Sequence, residues 1–302
     1  MNMSRFKIWI ALMLIPAFSF GWGDSLTTKQ RKTIVYGTSA VTYTAIMTSL
    51  SIAWYSDFEK SPFHWFNDNS GWLQIDKFGH AFTSYGYGLG GIEMMKWTGI
   101  PKKKAIIIGG LAGTFFQSPI EILDGFSVGW GASPGDLLAN FAGSAFLIGQ
   151  ELLWDEQRIQ MKLSYFPSKY RELRPNVLGN NLPTSILKDY NAQTYWFSVS
   201  PGAFSKNSFW PNWLQLSFGY GIDGVLGAES NLWEDDMGNK YDYSHFRRNR
   251  EYYLSLDIDL TRIKVKNSFL RKWMRAFNII KIPAPAIRWS PGSAPRYYPL
   301  FY

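Results

Sequence analysis

No cysteine occurs in the 302 residues. That absence excludes disulfides, thiolate metal sites, a cysteine nucleophile and a lipid carried on an N-terminal cysteine. Charge is also scarce, at 18% of residues against about 25% in ordinary soluble domains, which fits either membrane association or unusually aromatic packing. There are three histidines, at 64, 80 and 245. Neither a Gly-x-Ser-x-Gly nor a His-Glu-x-x-His motif is present, and no internal repeat is visible.

Aromatic residues, by contrast, reach 18% and apolar residues 46%. A mean hydropathy of −0.16 nevertheless argues against a wholly integral membrane protein. Residues 1–155 carry 11 Lys+Arg and 11 Asp+Glu, which leaves 20 and 12 of the totals of 31 and 23 for residues 156–302. The net charge of +8 therefore belongs to the C-terminal half, and an anionic partner suits it. Lipid head groups or an envelope glycopolymer come before nucleic acid, because the N-terminus is that of an exported chain.

Arg5 and Lys7 precede an apolar run from Ile8 to Phe18, and Ala17-Phe18-Ser19 supplies small residues two apart, the layout of a cleaved signal peptide over 1–19. An uncleaved anchor helix is the alternative. Four helices are expected next, over Thr33–Tyr55, Gly79–Trp97, Ala105–Leu123 with a break at Ser118-Pro119, and Pro134–Trp154. The first is long enough to span a bilayer. Basic residues at 29, 31, 32 and 102–104 would then lie outside the inner membrane, against the positive-inside rule, so a translocated bundle fits better than a multi-pass inner-membrane one.

Residues 156–192 are polar and proline-punctuated and read as a linker. Strands are expected where Leu214, Leu216, Phe218 and Tyr220 alternate with polar or small residues, where Leu254 to Leu260 do so, and at Gln193–Ser200. Asn231–Arg250 reads as a charged loop and Ser268–Ile280 as an amphipathic helix with Arg271, Lys272 and Arg275 on its polar side. That helix lies either on an anionic membrane or over the small sheet. The proline-rich tail after Ile282 reads as extended. The expected fold class is α+β, a helical bundle over 20–155 and a basic, antiparallel strand-rich domain over 193–302.

Chemistry concentrates between Asp76 and Gly143. Asp76/His80 and Asp136/Asn140 are four residues apart and Glu121/Asp124 three apart, so each pair shares a helix face. Ionisable groups set among Gly, Ala, Phe and Leu are costly to bury singly, so His80, Glu121, Asp124 and Asp136 are expected to converge inside the bundle. His80 is a core histidine, a metal ligand or an acid/base group. Ser133-Pro134-Gly135-Asp136 also forms a capping box, which would account for Asp136 without chemistry. Glu121 and Asp124 with His80 can hold a divalent cation or divide acid and base roles. Lys77 neutralises a carboxylate, and Gly143 permits close helix contact. His64 and His245 fall in loop-like stretches that face solvent.

The ordered set Asp76-Lys77-x-x-His80, Glu121, Asp136-x-x-x-Asn140-x-x-Gly143 resembles the YfiM-type family of bacterial envelope lipoproteins. More distantly it resembles the VanZ-like teicoplanin-resistance family. The likeness covers roughly residues 72–150 and implies an envelope location without an assigned reaction, and the missing cysteine departs from it. Three function classes follow: a structural or binding protein of the envelope, an enzyme acting on a lipid or glycolipid head group through the four-residue cluster, and a small outer-membrane barrel. The aromatic C-terminus fits the last, but three clear strands are too few.

Overall fold

Two hydrophobic periods divide the chain, 3.6 up to Trp154 and 2 beyond it, and the structure follows them. The structure, a computed structural model, describes residues 26–50, 59–205, 209–235 and 237–301. The signal segment lies outside the described residues. Contacts group the chain into a helical unit, 1–68 with 80–157, and a strand unit, 69–79 with 158–302.

The helices of the first unit are α1 (Thr28–Leu50), α2 (Ile75–Trp97, in this unit from His80), α3 (Lys102–Gly110), α4 (Ala112–Asp124) and α5 (Pro134–Trp154). Ser133 caps α5, its Oγ accepting from Asp136 N at 3.0 Å, with Pro134 at the first helical position. The expected break at Ser118-Pro119 does not occur. Pro119 lies inside α4, where Ser118 Oγ donates to Thr114 O at 2.7 Å, and the interruption falls at Leu111, behind Gly109-Gly110. Two adjacent glycines make that the weaker point in the helix. Their role is close approach: a Cβ at Gly109 would strike Gly91 of α2, and one at Gly143 of α5 would strike the Ala81 carbonyl. Lys102–Asp124 is, among the described residues, the one stretch that is long and apolar enough to cross a membrane. Length and composition alone say no more, because a core helix meets the same test.

In the strand unit a six-stranded antiparallel sheet runs in the order β1 (Ile159–Tyr165), β2 (Gln193–Val199), β3 (Leu214–Asp223), β6 (Asn249–Ile258), β7 (Ala284–Trp289), β8 (Arg296–Phe301). A separate hairpin is formed by β4 (Leu232–Glu234) and β5 (Lys240–Asp242). Three expectations change. The stretch read as a linker contains β1, the charged loop contains the β4–β5 hairpin, and the extended tail supplies β7 and β8. Sequence alternation is weak in these short segments because neighbouring strands, not local pattern, satisfy their backbones.

The sheet is strongly curled. On a flat sheet β2 and β8 would be about 19 Å apart, at about 4.8 Å per strand, yet the rings of Trp196 and Phe301 lie 5.8 Å apart. The free edge of β1 is taken by the chain that leads into β7, with Leu163 N donating to Ile279 O and Lys281 N to Leu163 O, both at 2.9 Å. Residues 69–79 lie over one end of the sheet, where Phe78 stacks on Tyr220 at 4.6 Å and Tyr220 Oη donates to Leu73 O. Helix α8 (Ser268–Phe277), which follows the short α6 (Pro175–Leu178) and α7 (Leu182–Lys188), is capped by Asn267, whose Oδ1 accepts from Phe269 N and Leu270 N. Its apolar side does not cover the sheet: Phe269, Leu270 and Phe277 are exposed.

Candidate metal centre

Three stripes of polar residues, each at helical i, i+4 spacing, meet inside the helical unit. They are His80 and Ser84 on α2, Gln117 and Glu121 on α4, and Asp136, Asn140 and Ser144 on α5. All but His80 are buried. The four-residue spacing stacks each stripe along one helix face, so one helix-to-helix approach brings the whole set together.

His80 Nε2 lies 3.7 Å from Asp136 Oδ1 and 3.9 Å from Glu121 Oε1. Ligand atoms from the three residues all fall within 4.8 Å of one another. Those separations exceed a hydrogen bond. They are close to the roughly 3.0–3.5 Å between ligand atoms around a cation with bonds of about 2.1 Å. Side-chain exposure is 27% for His80 and 4% for Glu121, so the group is enclosed except at the imidazole edge.

A relay of hydrogen bonds orients His80. Gln117 Nε2 donates to the His80 carbonyl at 3.2 Å and to Ser84 Oγ at 2.5 Å. Ser84 Oγ, having accepted, turns its own hydrogen to Asn140 Oδ1 at 3.4 Å. Asn140 Oδ1 is therefore an acceptor, and His80 Nδ1, 3.1 Å from it, is the donor. The second nitrogen, Nε2, faces the two carboxylates, the orientation in which an imidazole held through its other nitrogen binds a metal. Asn140 Nδ2, fully enclosed, has no hydrogen-bond acceptor among the described residues.

The capping box expected at Asp136 is half formed. The Ser133 backbone N–H, which a capping box would give to Asp136, donates instead to Glu121 Oε2 at 3.3 Å. Ser133 Oγ donates to Asp68 Oδ1 at 2.6 Å. Helical capping thus does not account for the Asp136 carboxylate, which faces His80. Burial, and after it the negative charges of Asp136 and Asp124, push the Glu121 carboxyl up to about 8.

The structure brings together three of the four residues expected to converge. Asp124 acts on Glu121 through its charge, but it is outside the ligand group, its place being taken by Asp136. Of the residues expected as metal ligands, His80 and Glu121 lie in the group whose ligand atoms approach one another, together with Asp136 in place of Asp124. One turn of α4 separates the cause: positions 121 and 124 differ by about 60° around the axis, enough to turn one carboxylate away when the other points inward. Asp76 and Lys77 fall in the strand unit, where Lys77 Nζ bridges Asp76 Oδ2 at 3.0 Å. Asn140 holds the imidazole. His64, expected to face solvent, is half-buried, with Nε2 2.7 Å from Trp130 O. Ser84, Gln117 and Ser144 escaped the sequence reading, although each lies four residues from a residue already singled out.

No curated protein and no solved structure matches the chain. Residues 64–149, which hold the whole His80, Glu121, Asp136 and Asn140 set, match a family described as predicted periplasmic lipoprotein, a domain of unknown function (DUF2279), and this supports an exported, envelope-associated protein.

Proposed function

We propose that this is a cell-envelope protein whose helical unit holds a divalent cation between His80 Nε2, Glu121 and Asp136. The observation that carries the reading is the pairing of two buried carboxylates with an imidazole whose Nδ1 hydrogen is committed to Asn140. Two carboxyl groups enclosed beside an imidazole nitrogen are stable only with protons or a cation among them. One nitrogen and two carboxylate oxygens suit Zn²⁺, Mn²⁺ or Fe²⁺ better than Ca²⁺, which prefers six to eight oxygens.

The cation ties α2, α4 and α5 together, a structural or binding role. Metal analysis of protein purified without chelator should give about one equivalent per chain, and Asp136→Asn should lose at least about tenfold in affinity for added Zn²⁺ or Mn²⁺. Stoichiometric absence of metal together with unchanged thermal stability on adding either ion rejects the reading.

A second reading rests on the open edge of His80, which leaves a coordination position for a substrate oxygen. There the cation would polarise a phosphate or carbonyl of a lipid or glycolipid head group. Loss of metal-dependent head-group release in His80→Ala, with the fold retained, distinguishes it from a purely structural site. The finer likeness to YfiM-type and VanZ-like proteins is compatible with either reading. A lipid carried on cysteine is not, since these 302 residues contain none.

A further inference from the structure

The sheet of the strand unit is built with its polar side inward. Cross-strand register aligns Gln160, Ser198, Ser217, Ser255, Ala286 and Tyr298 in one row across all six strands. The adjacent row, one residue along, reads Met161, Phe197, Phe218, Leu254, Ile287 and Tyr297. Period-2 alternation puts the two rows on opposite faces. The polar row is inside: Gln160, Ser198, Ser217 and Ser255 are buried, whereas in the apolar row Phe218 is 48% and Ile287 44% exposed, Phe197 and Leu254 are half-buried and only Met161, on the edge strand β1, is buried.

The interior confirms the assignment of faces. Lys162 Nζ meets Asp257 Oδ2 at 2.9 Å with both side chains fully enclosed. Ser198 Oγ donates to the same carboxylate oxygen at 3.0 Å, and Gln160 Nε2 donates to Asp259 at 2.9 Å. A water-soluble antiparallel sheet buries its apolar face and solvates its polar one. This sheet does the reverse, and reversed alternation is what a lipid-facing sheet requires.

We propose that the apolar outer face of this sheet, together with the apolar side of α8, is a lipid-contacting surface that seats the strand unit in an anionic bilayer. Charge complementarity selects the occupant. Exposed Phe269, Leu270 and Phe277 of α8 stand beside exposed Arg271, Lys272 and Arg275, and the half of the chain that contains them holds the whole +8. An amphipathic helix of this kind enters the head-group layer with cations toward anionic phosphates. Trp289, 40% exposed at the outer end of β7, adds the interfacial aromatic such surfaces favour. β3 and β6, of ten residues each, reach the length of a crossing strand, but β1, β2, β7 and β8 have six or seven, short of the 9–11 or so needed. The surface therefore enters a leaflet rather than closing as a channel.

The missing cysteine also makes the test direct, because an introduced one is unique. The full chain would carry Phe218→Cys, Ile287→Cys or, as a control on the exposed β5, Lys240→Cys, each labelled with an environment-sensitive fluorophore. With phosphatidylcholine vesicles containing phosphatidylglycerol, the chain is expected to float with the vesicles. The labels at 218 and 287 should shift to the blue and be quenched by a lipid-borne quencher, while the label at 240 stays accessible to an aqueous one. Arg271→Glu with Arg275→Glu should weaken binding to the anionic vesicles at least about tenfold and leave binding to neutral ones unchanged. Unlabelled protein that fails to float overturns the proposal. So does a concentration-dependent dimer, formed without lipid, in which the 218 and 287 labels become buried, for then a second copy covers the face.

Discussion

Both units enclose polar side chains and leave apolar ones outside, but they settle charge in opposite ways. In the strand unit most enclosed charges meet an opposite, Lys162 with Asp257, Arg262 with Asp259, and Arg288 with Glu251 at 2.9, 3.0 and 2.7 Å, while Lys281 donates to the Leu256 and Ile282 carbonyls and Asp189 accepts from Ser168. In the helical unit Glu121 and Asp136 are gathered around His80, with Asp68 and Asp124 adding negative charge to Glu121. A paired interior is a structural device that holds a curled sheet in register. An interior with surplus acidic groups is costly to ionise, so Glu121 keeps its proton up to about pH 8 unless a cation takes its place. The comparison thus separates a scaffold from a site more sharply than burial alone.

Deleting one charge from each interior tests that contrast, since the effects should have opposite signs. Lys162→Met leaves Asp257 enclosed without its cation and should destabilise the protein by about 3–5 kcal/mol, measured by chemical denaturation. Glu121→Gln, in chelated protein, should stabilise it. The Glu121 carboxyl has a folded pKa of about 8 against an ordinary 4.5, so between those values the folded state binds more protons than the unfolded one, and stability falls as pH rises. At pH 8 the variant should exceed the wild type by about 2 kcal/mol, roughly half the full linkage value because the imidazole edge is open to water. Near pH 4 the two should coincide. Equal denaturation midpoints for variant and wild type at both pH values would remove surplus charge as the mark of the site.

The smallest effect concerns the relay. Ser84→Ala removes the hydrogen bond to Asn140 Oδ1 and the acceptor of Gln117 Nε2 and should cost about 1–2 kcal/mol. The nitrogen-15 shifts of His80 should still report a hydrogen on Nδ1, because Asn140 retains its acceptor. A switch to the Nε2–H tautomer would show that Ser84 and Gln117, not Asn140, set the imidazole.

Local pattern made much of this legible. Ser133-Pro134 opens α5, and Asp136 and Asn140 fall on one face of it, because capping and 3.6 periodicity operate within a few residues. Alternation likewise located β2, β3 and β6. It missed β1, β7 and β8, six or seven residues long and interrupted by Lys162, Pro285 and Pro299, whose strand character comes from pairing with neighbours. The sequence offered Asp124 and not Asp136 for the metal group, since a capping box alone accounted for Asp136 and spacing along one helix does not say which residue of another helix meets it.

By itself the sequence determined the α+β division, the capped start of α5 at Ser133-Pro134, the exclusion of thiol chemistry and the concentration of basic charge after residue 155. These depend on composition and on interactions a few residues long. Only the tertiary structure decided that Asp136 joins His80 and Glu121, that Ser133 N–H serves Glu121 instead of a capping box, and which side of the sheet is the outside. Alternation specifies two faces and leaves them equivalent; curling the sheet around Lys162 and Asp257 made the polar one the interior, because an enclosed charge is tolerable only where a partner from a distant strand can reach it.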